Sequence, residues 1–173
     1  IWNNAPANPT LRGQSNLSLT IFGSLQLQSD MDLDFYHPFF TLRFRAEGTT
    51  NSIETNGQPL NIGTIGQDYT YNHGGIHFEG SGGEWILLDD LNAGQTMLYI
   101  TEGMLFTNGY DLNIMGVRAE SNHTQTGLIL EESQVSVASE IYINNDHFHL
   151  GGDLATIHFL PDVPRQKLIL RTQ

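Results

Sequence analysis

The chain of 173 residues contains no cysteine, a single lysine and no long hydrophobic run. The absence of cysteine excludes disulfide bridges, thiolate nucleophiles and zinc sites built on thiolates. No stretch approaches the about 20 apolar residues that a membrane-spanning helix requires. The sequence therefore predicts neither covalent cross-links nor membrane insertion.

Basic residues are scarce. The chain carries 7 Lys and Arg residues against 19 Asp and Glu residues, which gives a formal net charge of −12 and a sequence pI of about 4.7. Such a surface repels the phosphates of nucleic acids and anionic membranes, so neither is expected as a partner. Divalent cations suit an acidic surface better.

Helical periodicity is also missing. Almost every ordered-looking segment alternates apolar and polar residues, as strands with one buried face do; examples are Leu17–Ile21, Phe40–Arg45, Met97–Thr101 and Ile141–Ile143. Short clusters of Gly, Asn, Asp and Ser separate these segments. No linker or charge run divides the chain, so we expect a single all-β unit spanning residues 1–173.

One phrase occurs twice. Thr55-Asn56-Gly57, two further residues and Leu60-Asn61-Ile62 return as Thr107-Asn108-Gly109, two residues and Leu112-Asn113-Ile114. Asn and Gly tolerate the left-handed backbone of a sharp turn, so Thr-Asn-Gly predicts a corner. The sequence numbers of the two copies differ by 107 − 55 = 52. We expect two or three coils between the two corners.

A second echo is weaker but longer. Leu25–Leu33 resembles Val135–Ile143, and Thr41–Phe44 resembles Thr156–Phe159 in the same order. Repeated corners with similar strands are typical of a chain wound into stacked coils. These echoes favour a parallel β-solenoid over a propeller, whose blade signatures are missing. An antiparallel β-sandwich, which also has short and closely spaced strands, is the alternative fold.

The segment Gly82-Gly83-Glu84-Trp85-Ile86-Leu87-Leu88-Asp89-Asp90-Leu91, followed by Leu98–Leu112, resembles the repeat unit of giant secreted surface proteins of gliding and related bacteria. Their units run through Gly, Trp, a short strand, Asp-Asp-Leu, a second strand, Gly and Thr-Asn-Gly. Gly116–Asn122, leading into Gly127–Leu130, resembles the segment that follows. The likeness covers about residues 50–150, whereas residues 1–13 and 161–165 do not fit the pattern.

This resemblance implies a right-handed parallel β-helix, export to the cell surface by a type IX route, and a role as an adhesin or stalk. The chain begins at Ile1 without methionine and stops at Gln173 before another corner, so we expect a segment of a longer protein. Its partners would be neighbouring repeats of the same chain, surface glycans and other cell-surface proteins.

Candidate metal ligands are Asp30, Asp32 and Asp34. On a strand these side chains would share one face about 7 Å apart, and calcium prefers several carboxylate oxygens. The alternative is a solvated strand face without metal. No other cofactor is expected. Asp89-Asp90 fits a hydrogen-bonded turn better than a metal site.

Tyr69 and Tyr71 alternate on one strand face and are candidates for stacking on sugar rings; packing within the protein is the alternative. His147 and His149 would share a strand face but lack further zinc ligands. Trp85 is predicted in the core. The sequence names no catalytic residues, so an enzyme is not expected.

Two alternatives to a structural or adhesive role remain. A carbohydrate-binding or polysaccharide-degrading β-helix predicts carboxylates, arginines and aromatic residues clustered on one sheet face. Arg43, Arg45 and Arg118 are the available arginines in the interior of the chain. A self-assembling extracellular filament subunit predicts complementary ends without caps.

Overall fold

The computed structural model describes residues 9–14, 16–35, 39–62, 74–121, 123–161 and 167–170. These residues form a β-solenoid of about six turns, with strands and no helix. The strands are β1 (Thr10–Arg12), β2 (Ser18–Ile21), β3 (Leu25–Gln26), β4 (Asp32–Asp34), β5 (Thr41–Phe44), β6 (Thr50–Glu54), β7 (Gly75–Leu87), β8 (Leu91–Phe106), β9 (Leu112–Ala119), β10 (Thr126–Ile129), β11 (Gln134–Ile143), β12 (Phe148–Gly151), β13 (Thr156–Phe159) and β14 (Lys167–Leu170).

The coils stack on three faces, and every strand pair among the described residues is parallel. The parallel solenoid is therefore confirmed and the antiparallel sandwich is wrong. Face 1 contains β1, β4 and the first parts of β8, β9 and β11, then β13. Face 2 contains β2, β5, the first part of β7, the middle of β8, the ends of β9 and β11, and β14. Face 3 contains β3, β6, the ends of β7 and β8, β10 and β12.

Coil length varies along the solenoid. On face 2, Ile76 pairs with Leu98, Leu98 with Val117, and Val117 with Ile141, so the third of these coils is longer than the second. The coil from Leu42 to its partner Ile76 is longer still, because residues 63–73 lie between them. Long strands such as β8 continue around the corners between faces.

The core fills the centre of the triangular cross-section. Alternate strand residues point inward, which is why the period-two pattern predicted the strands well. Phe44 and Phe78 stack with ring centroids 5.3 Å apart, and Trp85 lies across them with 0% exposure. The core position predicted for Trp85 is confirmed.

The Gly80-Ser81-Gly82-Gly83 run makes room for this aromatic cluster. A Cβ atom at Gly80 would lie 1.9 Å from the carbonyl oxygen of Ala46, and one at Gly83 would lie 2.1 Å from the same atom. Both would also stand 2.9 Å from the Trp85 ring. Side chains at these two positions would force the neighbouring coil away.

Both copies of Thr-Asn-Gly form the corner between face 3 and face 1, with two coils from one to the other, as the spacing predicted. Asn56 and Asn108 have φ angles of 51° and 55°, and the following glycines 77° and 81°. The Asn56 side chain donates to the Leu27 carbonyl at 2.7 Å, and that of Asn108 to the Leu87 carbonyl at 3.4 Å. Each asparagine therefore bonds to the preceding coil and not to another corner asparagine.

The second echo is wrong as a structural repeat. Leu25 lies on face 3 beside Ile53, whereas Val135 lies on face 1 beside Leu112. Thr41–Phe44 lies on face 2, whereas Thr156–Phe159 lies on face 1. Strands on all three faces share the same apolar alternation, so similar strings do not identify the same face.

Candidate functional site on face 2

One outward-facing row on face 2 collects cationic and aromatic side chains. Strand pairing places Arg43 beside His77, His77 beside Tyr99, Tyr99 beside Arg118, and Arg118 beside Tyr142. Each of the five residues lies between two inward-pointing apolar residues of its strand. Neighbouring strands are about 4.8 Å apart, so the row is continuous along the solenoid axis. We call these five residues the central row.

The rings of the central row stack along the solenoid axis. The His77 and Tyr99 ring centroids are 4.4 Å apart with planes inclined by 22°. The Arg118 guanidinium carbon lies 5.4 Å from the centre of the Tyr142 ring, within cation–π range. Because stacked rings cover one another's faces, the row presents mainly ring edges and polar atoms to solvent.

Two carboxylates brace the row from its sides. Glu79 accepts a hydrogen bond from Arg43, and its second oxygen lies 3.6 Å from Nε of Arg45. Glu140 accepts from Nε of Arg118 at 2.8 Å. The Glu140 contact and burial act on the pKa of Arg118 in opposite directions: burial lowers it, whereas the hydrogen bond and negative charge of Glu140 raise it, and the net shift is upward.

His77 is neutral at pH 7. Burial and the positive charge of Arg43 lower its pKa to about 4, against a weaker opposing effect of Glu79. Its Nδ1 atom lies 3.4 Å from Glu79, which we interpret as a hydrogen bond from neutral imidazole, because a group with that pKa carries no charge here. The buried Nε2 atom has no hydrogen-bond partner among the residues that the structure describes. Burial also raises the pKa of Tyr99.

The aspartates proposed as calcium ligands are divided between a turn and a strand. Asp32 and Asp34 belong to β4, whereas Asp30 lies in the turn before it. Asp34 accepts from Nε of Arg12 at 2.8 Å, because β1 and β4 pair with these two residues side by side. Arginine therefore neutralises a charge that was assigned to a cation. The described residues include no group of three or more His, Asp or Glu side chains arranged to hold a metal ion.

The structure places the remaining tyrosine, histidine and aspartate candidates as follows. Tyr69 and Tyr71 lie outside the described residues. His147 is in a turn and His149 is on β12, so the prediction that they share a strand face is wrong. Asp89 does lie in a turn, where its carboxylate accepts from the Thr55 and Gly57 backbone N–H groups at 2.8 and 3.2 Å. It therefore secures the corner of the preceding coil.

A depression of about 600 Å³ lies at the corner between faces 3 and 1, lined in part by Asn108, Glu131, Glu132, Asp153 and Leu154. Its carboxylates and exposed leucine contrast with face 2, which holds three of the four described arginines: Arg43, Arg45 and Arg118. Face 2 is therefore the surface with the greatest chemical variety.

Sequence reasoning missed His77, Tyr99 and Tyr142. The available signal was their setting, since each occupies the polar position of a strand such as Ile76-His77-Phe78 or Leu98-Tyr99-Ile100. Aligning these positions required the length of each coil, which is not constant along face 2. Arg118 was considered alone for the same reason.

Comparison with known proteins found no matching family model, no matching curated protein and no matching solved structure. Within the described residues, no helix has the length and apolar character needed to cross a bilayer. The resemblance to secreted surface repeats therefore remains a prediction, and the parallel β-solenoid is the level of classification that the chain itself supports.

Proposed function

We propose that the chain is a rigid, non-enzymatic segment of an extracellular cell-surface protein, acting as a stalk or adhesin. The observation that carries the proposal is that the reactive side chains on face 2 are bonded to one another across coils. Arg43 is engaged with Glu79, and Arg118 with Glu140. Groups paired in this way stiffen the stack and are not poised to attack a substrate.

The corners support the same role. Thr55 is tied to Asp89, and Thr107 to Ser133, by hydrogen bonds between successive coils. Together with parallel strand pairing on all three faces, these bonds connect each described coil to its neighbours. A rod of this kind transmits force along its axis, which suits a stalk or an adhesin.

The experiment that tests this function uses cells that produce the protein. Antibodies against the chain should label intact cells, and deletion of its gene should reduce the fraction of cells attached to a polysaccharide-coated surface. Attachment should return with the wild-type gene. Labelling that requires permeabilised cells would contradict the surface location, and unchanged attachment would contradict the adhesive role.

Glycan binding by face 2 is the second candidate function. The observation that favours it is the grouping of arginine, carboxylate and aromatic side chains on one face, which the carbohydrate alternative predicts. The side chains of Arg45 and Glu120 are 54% and 53% exposed, so both offer hydrogen-bonding groups to solvent. Neutral sugars suit this surface, because each arginine of the central row already has a carboxylate partner.

An array of immobilised neutral and acidic oligosaccharides tests this second candidate. We expect retention of neutral glycans that falls at least tenfold in an Arg45→Ala, Tyr142→Ala variant. The control variant is Asn92→Ala, Asn113→Ala, which removes an outward pair on face 1. Equal retention by both variants, or no retention by the wild-type chain, would exclude face 2 as a glycan site.

A further inference from the structure

Asparagine is followed by glycine twice in the chain, at Asn56-Gly57 and Asn108-Gly109, once in each Thr-Asn-Gly corner. Such a pair is open to attack on the asparagine side chain by the next backbone nitrogen, because glycine has no Cβ atom to hinder the approach. The φ angles are 51° and 77° in the first corner and 55° and 81° in the second. The two pairs therefore offer the same reaction in nearly the same backbone conformation.

The turns around the two pairs also match. The Thr55 carbonyl accepts from the Gln58 N–H at 3.1 Å, and the Thr107 carbonyl accepts from the Tyr110 N–H at 3.0 Å. Both asparagines and both glycines are exposed, and a Cβ atom built on either glycine would meet nothing within 4 Å beyond its chain neighbours. Neither the turn nor access by water distinguishes the corners, so a difference in reactivity would have to come from the surrounding hydrogen bonds.

Two hydrogen bonds hold the reacting groups of the first corner. The Asn56 amide donates to the Leu27 carbonyl at 2.7 Å, and the Gly57 N–H donates to the Asp89 carboxylate at 3.2 Å. Attack requires that the Gly57 nitrogen give up its proton. The carboxylate holds that proton and repels the negative charge that would remain on the nitrogen. The first corner is therefore protected at both reacting groups.

The second corner lacks this protection. The Gly109 N–H donates to no acceptor among the residues that the structure describes. The Asn108 amide lies 3.4 Å from the Leu87 carbonyl, which is longer than an ordinary N–H···O bond. The next coil contacts this corner through the Ser133 hydroxyl, which bonds to Thr107, so it places no carboxylate on the glycine.

We propose that Asn108 is a site of spontaneous deamidation and that Asp89 protects Asn56 from the same reaction. The Gly109 nitrogen forms a bond to Cγ of Asn108 while the bond from Cγ to the side-chain nitrogen breaks, and the proton of Gly109 leaves with that nitrogen as ammonia. Water then opens the five-membered succinimide at either of its carbonyl groups. The products are ammonium ion and an aspartate or isoaspartate at position 108. This inference does not depend on the function proposed above.

The reaction would weaken the corner. Asn108 lines the depression of about 600 Å³ together with Glu131, Glu132 and Asp153, so the product adds a carboxylate where like charges are already present. A carboxylate cannot donate to the Leu87 carbonyl, so a contact with the preceding coil is lost. An isoaspartate also adds one carbon atom to the main chain. Deamidated chains should therefore be less stable, and their fraction should rise with the age of the protein.

Mass spectrometry of the folded 173-residue chain during incubation in mildly alkaline buffer tests the proposal. Cleavage after glutamate separates the corners into fragments 55–79 and 103–120. We expect Asn108 to acquire the mass of an acid, with oxygen taken from isotope-labelled water. Conversion at Asn56 should be slower by about tenfold or more, the factor that a hydrogen bond to a charged group can supply. In urea the two sites should convert at similar rates, because the tripeptide is the same.

A variant tests the protecting carboxylate. Asp89→Ala should raise the conversion rate at Asn56, because the following N–H loses its acceptor. Asp90→Ala is the matched control: this carboxylate accepts from the Asp111 N–H at 2.9 Å and leaves the first corner's glycine bonded, so Asn56 should remain slow. Circular dichroism spectra matching that of the wild type establish that the variants fold. The wild-type rates at the two sites decide the proposal even if Asp89→Ala does not fold.

Asn108→Gln tests the structural consequence, because glutamine keeps the amide but would have to close a larger ring. Urea denaturation before and after incubation should show stability lost from the wild type and retained by this variant. Equal losses in both proteins would assign the damage to other residues. The proposal is overturned if Asn108 stays intact in the folded chain while the unfolded chain converts, or if Asn56 converts as fast as Asn108 in the folded chain.

Discussion

The corner between faces 3 and 1 and the central row on face 2 join successive coils by different chemistry. In the corner, Thr107 donates to the Leu130 carbonyl and accepts from the Ser133 hydroxyl, both at 2.6 Å, and neither side chain is exposed. In the central row, Arg118 and Glu140 meet at 2.8 Å with side chains 31% and 21% exposed. The contact in the corner is excluded from water, whereas the contact in the central row is partly accessible to it. We call these two inter-coil contacts the joints.

The difference decides how much each joint contributes to stability. A buried polar group that loses its partner costs about 1–3 kcal/mol, because water cannot replace the bond. A solvent-accessible ion pair contributes about 0.2–1 kcal/mol, since water and salt screen it. We therefore expect corners to determine stability, while face 2 retains freedom to vary and to bind.

The largest expected effect comes from His77, the member of the central row that behaves like a buried group. Its pKa falls from 6.5 to about 4 on folding, so between these values the unfolded chain binds more protons and stability rises with pH. The stabilisation is complete above pH 6.5 and is lost as the pH falls towards 4. The free energy of unfolding should decrease by about 2–3 kcal/mol between pH 7 and pH 4.5 from this group alone.

Urea denaturation of the wild type and His77→Phe at both pH values measures this contribution. Phenylalanine retains stacking on Tyr99 but cannot titrate, so the variant should lose less stability over the same interval. The comparison removes the effects of pH that the two proteins share. Identical losses would show that His77 is not held neutral by the fold.

Thr107→Val should give the next largest effect. Valine has nearly the same shape, but it leaves the buried Ser133 hydroxyl without the acceptor that it has in the wild type, whereas the Leu130 carbonyl still accepts from the Ser133 N–H group. We expect the free energy of unfolding to fall by about 2 kcal/mol, measured by urea denaturation. Thr101→Val is the matched control: its hydroxyl donates to the Phe78 carbonyl at 3.1 Å from a half-buried position, where water can substitute.

The double variant Thr107→Val, Ser133→Ala sharpens this test. Removing both hydroxyls takes away the stranded donor along with its partner, so part of the lost stability should return. A double variant that is less stable than the sum of its single changes would contradict the assignment of the loss to an unpaired buried group.

Part of the corner could be predicted from the residue types at the corner itself, and part depends on contacts between coils. The left-handed backbone at Asn56 and Asn108 depends on residue type alone, and Thr-Asn-Gly states it directly. The bond from Thr55 to Asp89 depends on which residues face each other across coils. These two residues are far apart in the sequence, and their register follows from the pairing of Ile53 with Leu87 on face 3. No local pattern in the sequence specifies the length of that coil.

The central row was less predictable for the same reason. Each member could be assigned to an outward position, since alternation is local. Their alignment required four successive registers, and the lengths of the coils that set these registers are not constant. The arginine partner of Asp34 was unpredictable for a related reason, because Arg12 lies a full coil earlier in the chain and pairs with it directly.

Arg118→Gln should have a small effect on stability and a measurable dependence on salt. Losing the contact with Glu140 and the stacking on Tyr142 should lower the free energy of unfolding by about 0.5–1 kcal/mol. A double-mutant cycle with Glu140→Gln at low and high NaCl concentration measures the ion-pair component. A coupling energy as large as the loss expected for Thr107→Val, and unchanged by salt, would show that this pair is as protected as the corner. That result would erase the contrast between the two joints.

The smallest expected effect comes from Glu131, in the corner that follows Thr107 by one coil. Its φ angle is 49°, a left-handed conformation that Asn at positions 56 and 108 accepts more readily than Glu does. Glu131→Asn should therefore raise the free energy of unfolding by about 0.5 kcal/mol. Glu132→Asn removes the same charge at a neighbouring residue without a positive φ, so it separates backbone strain from charge. If both variants gain equally in urea denaturation, charge repulsion in the acidic corner explains the gain, whereas a gain confined to Glu131→Asn shows that this corner retains strain that the two Thr-Asn-Gly corners have relieved.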